Sequence, residues 1–490
     1  MFHKNAGKMR VVAGAVCLAA LWPCAAQAQC TSWERNTDAG DKAIGEGRFD
    51  VAELIYWDAL QEAEKFGPND ERLAQSLNNL ASVYQSEGRF SEAEALYKRS
   101  LGIWELNQKT ASPCAITALS NLGSLYLDQG RFEDASAALK RSMELEKGSK
   151  EPDAHALANI LNSLGMAYSE EGKYADAEST LKVAMKSYER LSGPEDPDLA
   201  RVVNNLGLLY QRQDKNDKAE PLFKRALTLQ EKAFGPDHQD VAATLNNLGL
   251  VYDSQAKYAK AEAIYRRALA INEKTFGTEH PTVATNLDNL ARVYRLQGKF
   301  AEAVELWKQT LAIREKLLGL EHPDLGLTLN NLGVVYFDMG RYKDARPLLE
   351  RSLAIRRKAL GPDHPEVQTT YTNLMAVYEA MGEFDAPQEL LKGEIEEAES
   401  ANDSQRLTRS LSELGNLYEN HSKLEEAESL FRRALEIAER SNGAESPEVQ
   451  QRLETLAALL KSMQKTDEAA ELESRAQAIR AKLAERSSPK

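Results

Sequence analysis

The chain is predicted to be all-α, an α-solenoid of about ten to eleven helical hairpins, from three observations: a strict 42-residue period, helical spacing of apolar residues inside each period, and glycine-marked turns. Tyrosine returns at Tyr84, Tyr126, Tyr168, Tyr210, Tyr252, Tyr294, Tyr336 and Tyr378. A leucine stands four residues before each of these, from Leu80 to Leu374, and an alanine nine after, from Ala93 to Ala345, until Pro387 takes that place in the last regular copy.

Residues 1–28 read as a secretory signal peptide. Lys4, Lys8 and Arg10 precede an apolar stretch from Val11 to Leu21, and Ala26-Gln27-Ala28 supplies small residues for cleavage. The stretch is too short to span a bilayer, and no second one exists, so no integral membrane segment is expected. Cleavage would place the mature protein in a bacterial periplasm or outside the cell, with Gln29 at its N-terminus. It would also remove three basic and no acidic residues, taking the net charge from −14 to −17. An acidic balance argues against a nucleic-acid partner, which needs a basic surface.

Residues 29–70 form a truncated first repeat, where Gly47-Arg48-Phe49 and Ala52-Glu53-Leu54 echo Gly88-Arg89-Phe90 and Ala93-Glu94-Ala95. Residues 71–400 are the regular array. In each copy a first helix shows the three-four step of Leu248, Val251, Tyr252 and Gln255, and a second helix that of Ala261, Ile264, Tyr265 and Ala268. Between them stands glycine then an aromatic, as in Gly298-Lys299-Phe300, because glycine takes the positive φ that ends a helix. Gly207, Gly249 and Gly333 follow the leucine where a larger side chain would hold neighbouring helices apart. One hairpin cannot bury its own apolar face, so the copies must stack.

Residues 401–476 hold two further copies, on Leu414, Tyr418 and Ala427 and on Leu456, Leu460 and Ala469, after a slip of two residues. The slip coincides with Pro387, Gly393 and loss of the histidine-proline linker. It marks either a hinge or a bend absorbed by packing, and the helix-forming residues there favour the bend. The last helix, from Asp467 to Glu485, should cap the array with a polar face, and 477–490 is its end and tail.

Leucine, glycine, tyrosine and alanine in this order resemble the tetratricopeptide repeat, whose usual unit has about 34 residues. The longer unit here, with Leu245-Asn246-Asn247-Leu248-Gly249 and the linker Phe276-Gly277-Thr278-Glu279-His280-Pro281, is similar to the repeats of kinesin light chain over roughly Asn36 to Ala476. The resemblance implies a right-handed solenoid that binds proteins or peptides. Coiled-coil heptads like those joining kinesin light chain to its motor are missing, so the motor-adaptor role does not transfer.

Enzymatic chemistry is not expected. No serine or cysteine nucleophile has a recognisable neighbourhood, no glycine loop has phosphate spacing, and the carboxylates are scattered, so neither a catalytic centre nor a cofactor is predicted. His238, His280, His322 and His364 recur at the 42-residue step, but successive loops lie roughly 10–20 Å apart whereas a metal holds imidazole nitrogens at about 2 Å. A metal role is therefore rejected in favour of a linker that stops one helix and starts the next at proline. Cys30 and Cys114 remain after cleavage as disulfide candidates. A bridge would have to cross two repeats within about 7 Å between Cα atoms, which leaves unpaired thiols or an intermolecular link as the alternative.

Function is then expected on the first helices, which line the inner groove. One asparagine file, Asn79, Asn121, Asn205, Asn247, Asn289, Asn331 and Asn373, stands five residues before the tyrosine, and a second, Asn78, Asn162, Asn204, Asn246 and Asn330, one position earlier. Such amides can read the backbone of an extended peptide, or one file can bond the neighbouring helix instead; the second file is the better groove candidate. Arg201, Arg212, Arg292 and Arg295 project near Leu208, Leu250, Val334 and Phe337 if the periodicity holds. This patch suits an acidic peptide with an apolar anchor, unless the arginines merely pair with adjacent carboxylates. The rival expectation is an assembly protein that self-associates through its outer faces or ends.

Overall fold

A computed structural model describes residues 31–46 and 48–487 of the chain. The leader expected at 1–28, Gly47 and Cys30, and with Cys30 the disulfide to Cys114, lie outside the described residues. Among those described, every regular element is an α-helix, 22 in all, and the chain divides into two compact units that meet between Gln297 and Gly298.

The first unit contains α1 (Ser32–Gly45), α2 (Phe49–Glu64), α3 (Glu71–Ser86), α4 (Phe90–Leu106), α5 (Pro113–Asp128), α6 (Phe132–Lys147), α7 (Ala154–Glu170), α8 (Tyr174–Leu191), α9 (Pro197–Arg212), α10 (Asn216–Phe234), α11 (Gln239–Ser254), α12 (Tyr258–Phe276) and α13 (Pro281–Leu296). The second contains α14 (Phe300–Leu318), α15 (Pro323–Asp338), α16 (Tyr342–Leu360), α17 (Pro365–Met381), α18 (Asp385–Ser400), α19 (Ser404–Asn420), α20 (Leu424–Asn442), α21 (Pro447–Ser462) and α22 (Thr466–Ser487). Within each unit helices pack mainly on their sequence neighbours, the pattern of an α-solenoid.

The repeated residues account for this packing. The anchor leucines from Leu80 to Leu374 are buried, as are the anchor tyrosines except the half-buried Tyr168. The glycine after the leucine lies directly under a bulky residue of the second helix. A Cβ on Gly207 would come within 2.8 Å of the Phe223 ring, and one on Gly249 within 2.5 Å of Tyr265. At Ala81 and Ala291 a methyl is the largest group the position holds. The α17–α18 pair is the exception, since Met375 occupies this place and Pro387 replaces the alanine of the second helix. There the two backbones barely approach. Instead α17 reaches α19, where the Tyr371 hydroxyl donates to Glu413 Oε2 at 2.7 Å, and Tyr371 and Met375 cover Leu391, Leu411 and Leu414.

Turns between paired helices need a left-handed residue, which is glycine at Gly298 (φ 76°) and Gly340 (φ 70°) but Asp214 (57°), Ala256 (56°), Ser422 (59°) and Gln464 (62°) in four copies. The connection between pairs uses the histidine more directly than its sequence suggested. His238 Nδ1 accepts the backbone N–H of Asp240 at 3.2 Å, and His280 that of Thr282 at 3.3 Å. His322 and His364 do the same for Asp324 and Glu366, at 3.2 and 3.3 Å. Each imidazole is thus an N-cap, standing where Ser, Thr, Asp or Asn usually serves. Phe234 and Phe276 lie against the His238 and His280 rings, with centroids 4.7 and 4.4 Å apart.

Candidate functional site

The first helices α7, α9 and α11 bury about half or more of their residues and carry a half-open stripe. On α9 the half-buried residues are Arg201, Asn204, Leu208 and Gln211; on α11 they are Ala243, Asn247 and Leu250; on α7 they include Asn159, Ser163 and Met166. Asn159, Arg201 and Ala243 share one repeat position and Met166, Leu208 and Leu250 another, while Asn204 stands one position before that of Ser163 and Asn247. Side chains three or four apart share a helix face, so Met166, Leu208 and Leu250 form an apolar line bordered by amides. On α13 the line ends in Arg292, beside the half-buried Asn289 and Arg295.

The two asparagine files are bonded to each other across repeats. Asn121 Nδ2 donates to Asn78 Oδ1 at 3.2 Å, Asn205 to Asn162 at 2.9 Å and Asn247 to Asn204 at 3.1 Å. Asn286 Nδ2 donates to Asn246 Oδ1 at 2.6 Å. In the second unit Asn373 donates to Asn330 at 2.9 Å. Asn78, Asn79, Asn121, Asn162, Asn205, Asn246 and Asn330 are buried, whereas Asn204, Asn247, Asn289, Asn331 and Asn373 keep an exposed edge. Buried amides need partners, and here neighbouring first helices supply them.

The arginines divide. Arg212 grips the Glu170 carboxylate, with Nη1 at 2.9 Å from Oε2 and a second contact through Nη2. Arg292 Nη1 lies 2.5 Å from Asp253 Oδ2, a carboxylate that is itself buried. Arg201 donates to the side-chain oxygen of Asn159 instead. Beside it the Tyr188 hydroxyl donates to the same oxygen at 2.5 Å. Burial pushes Tyr188 up to about 12 against the pull of Arg201, so it remains a neutral donor. In the second unit Phe337 is half-buried on α15 with its ring 5.3 Å from that of Tyr342, and Val334 is its half-buried neighbour.

The sequence did not single out Asn159, Met166 or Tyr188, nor the carboxylates Glu170 and Asp253. Register held the signal for two of them: Asn159 and Met166 stand 42 residues before Arg201 and Leu208. No described helix is long and apolar enough to cross a membrane.

Comparison with known proteins agrees with the repeat architecture. BtubC (BKLC) from P. vanneervenii is 29% identical, with 48% of this chain and 94% of that one covered and a TM-score of 0.43. A protein described as a kinesin light chain with nearly identical TPR-like repeats, from Podosopora anserina, is 26% identical over 43% of this chain and 99% of that one, at a TM-score of 0.39. The apo form of RapI shares the fold at 15% identity and a TM-score of 0.51, covering 76% of this chain and 99% of RapI. No curated protein sequence matches significantly. Models of the tetratricopeptide repeat match residues 43–105, 114–190, 198–274, 257–316 and 406–482, with a further match at 326–366. Those segments make up more than half of the chain, which belongs to the tetratricopeptide repeat family.

Proposed function

We propose that the protein is an exported, non-enzymatic interaction scaffold that takes a peptide or protein segment along the open stripe of its first helices. The observation that carries this reading is the line Met166, Leu208 and Leu250. Three apolar side chains stay half-exposed on a face whose neighbouring positions are closed by packing. An apolar line bordered by amide edges at Asn204 and Asn247 offers an anchor and backbone partners to an extended segment. Because Arg212 and Arg292 already carry carboxylates, selectivity for acidic ligands rests less on them than on apolar contact. Export rests on the leader-like residues 1–28, with a periplasmic or secreted location as the consequence.

The test is a pull-down from envelope extract with residues 29–490, beside a variant carrying Leu208→Glu and Leu250→Glu and matched for helix content. A partner held by the wild type and lost by the variant supports the reading. Equal recovery by both overturns it.

A second reading, assembly through the ends, draws on Leu54. It is 70% exposed on α2, a large apolar side chain at the outward repeat position that Ala95 and Ala263 hold in later hairpins. Self-association that ends on Leu54→Lys, with stripe variants unaffected, would favour it.

A further inference from the structure

Unlike Arg212 and Arg292, Arg201 has no carboxylate partner among the described residues. Its one acceptor, Asn159 Oδ1, is shared with Tyr188, and its Nε is buried without a partner. An unpaired guanidinium N–H out of contact with water is costly. Two carboxylates, Asp198 and Asp196, act on the neighbouring Tyr188, but neither forms an ion pair with the guanidinium. Asp196 accepts the backbone N–H of Asp198 at 2.7 Å as the cap of α9, and Asp153 accepts that of His155 at 2.8 Å as the cap of α7.

Further polar groups stand around Tyr188. His155, in the first turn of α7, lies edge-on to Tyr188 with ring centroids 6.1 Å apart. Ser192, which ends α8, places its Oγ 3.5 Å from His155 Nε2. Three helices thus bring a guanidinium, a hydroxyl and an imidazole to one end of the stripe. We infer that Arg201, Ser192 and His155 form an oxyanion site, and that its occupant is a carboxylate carried by the segment bound along the stripe. A carboxylate can accept two N–H groups of one guanidinium in a plane, a charge-assisted geometry stronger than the present amide contact. The identity of the carrier rests on the function proposed above; the anion site itself does not.

The test titrates succinate and, separately, inorganic phosphate into the full chain while the His155 imidazole signals are followed by NMR, with His155→Gln used for assignment. Arg201→Gln, Arg201→Lys and Arg212→Gln are compared at equal helix content. The expected result is a saturable shift kept by Arg212→Gln, at least tenfold weaker in Arg201→Gln and partly restored in Arg201→Lys. Tighter succinate than phosphate assigns a carboxylate, and the reverse order overturns that assignment. No saturable shift, or one indifferent to Arg201→Gln, overturns the site. The pull-down reads a different variant, so loss of the partner hypothesis leaves this titration intact.

Discussion

Two glycines show how the same substitution takes opposite signs at different points of the repeat. Gly249 lies beneath the fully buried Tyr265 ring, and an added Cβ would stand 2.5 Å from it. Gly393 is in the interior of α18, where an added Cβ meets nothing within 4 Å. Gly249→Ala is therefore expected to cost about 1–3 kcal/mol through overpacking. Gly393→Ala should stabilise by about 0.5–1 kcal/mol, since alanine has the higher helix propensity and the backbone is ordinary helix. Urea unfolding of both variants checks this; a destabilised Gly393→Ala would mean that α18 approaches a neighbour more closely in solution.

At the scale of one helix, His280 sets the start of α13 and ties it to pH. Its Nδ1 can accept the Thr282 N–H only while the ring is neutral. Burial lowers its pKa below the ordinary histidine value. The folded state then binds fewer protons than the unfolded chain, so the contribution of His280 is complete above about pH 6.5 and is lost as pH falls below it. His280→Ser keeps a capping oxygen that does not titrate. The stability of the wild type relative to His280→Ser should decline between pH 7.5 and pH 5 in urea titrations, and parallel pH profiles would refute the cap as the cause. This role also marks the limit of what the sequence discloses. Helix type, turn position and the close approach at Gly249 were legible because each depends on residues within one repeat. That His280 caps rather than merely precedes Pro281 depends on a ring rotamer, which no spacing encodes. The Asn205–Asn162 bond and the missing carboxylate at Arg201 depend on side chains of different repeats meeting, and the same amides at the same period are equally compatible with an open groove.

Across the molecule, an array held by nearest-neighbour contacts is only as cooperative as its weakest interface. In the second unit that interface is where Met375 keeps α17 from closing on α18, and part of the attachment passes to polar groups. Arg406, with a side chain 6% exposed, places Nη2 2.7 Å from Glu394 and 2.6 Å from Glu397. Arg357 from α16 reaches both carboxylates as well. The network therefore joins α16, α18 and α19 across the gap left by the hairpin. Removing one member of a buried ionic network leaves its partner uncompensated, at roughly 3–5 kcal/mol for a fully buried pair. The cost of Arg406→Met should lie at the low end of that range, because Arg357 remains and Glu397 is 58% exposed. Its distribution is the sharper expectation. Hydrogen exchange should show faster opening of α18, α19 and α20, with the α15–α16 amides of the same unit unchanged, because these sit on apolar contacts the substitution does not touch. Equal acceleration throughout the second unit would instead mean that α14 to α22 open as one cooperative block, and that the slip after Tyr378 is a bend without energetic consequence.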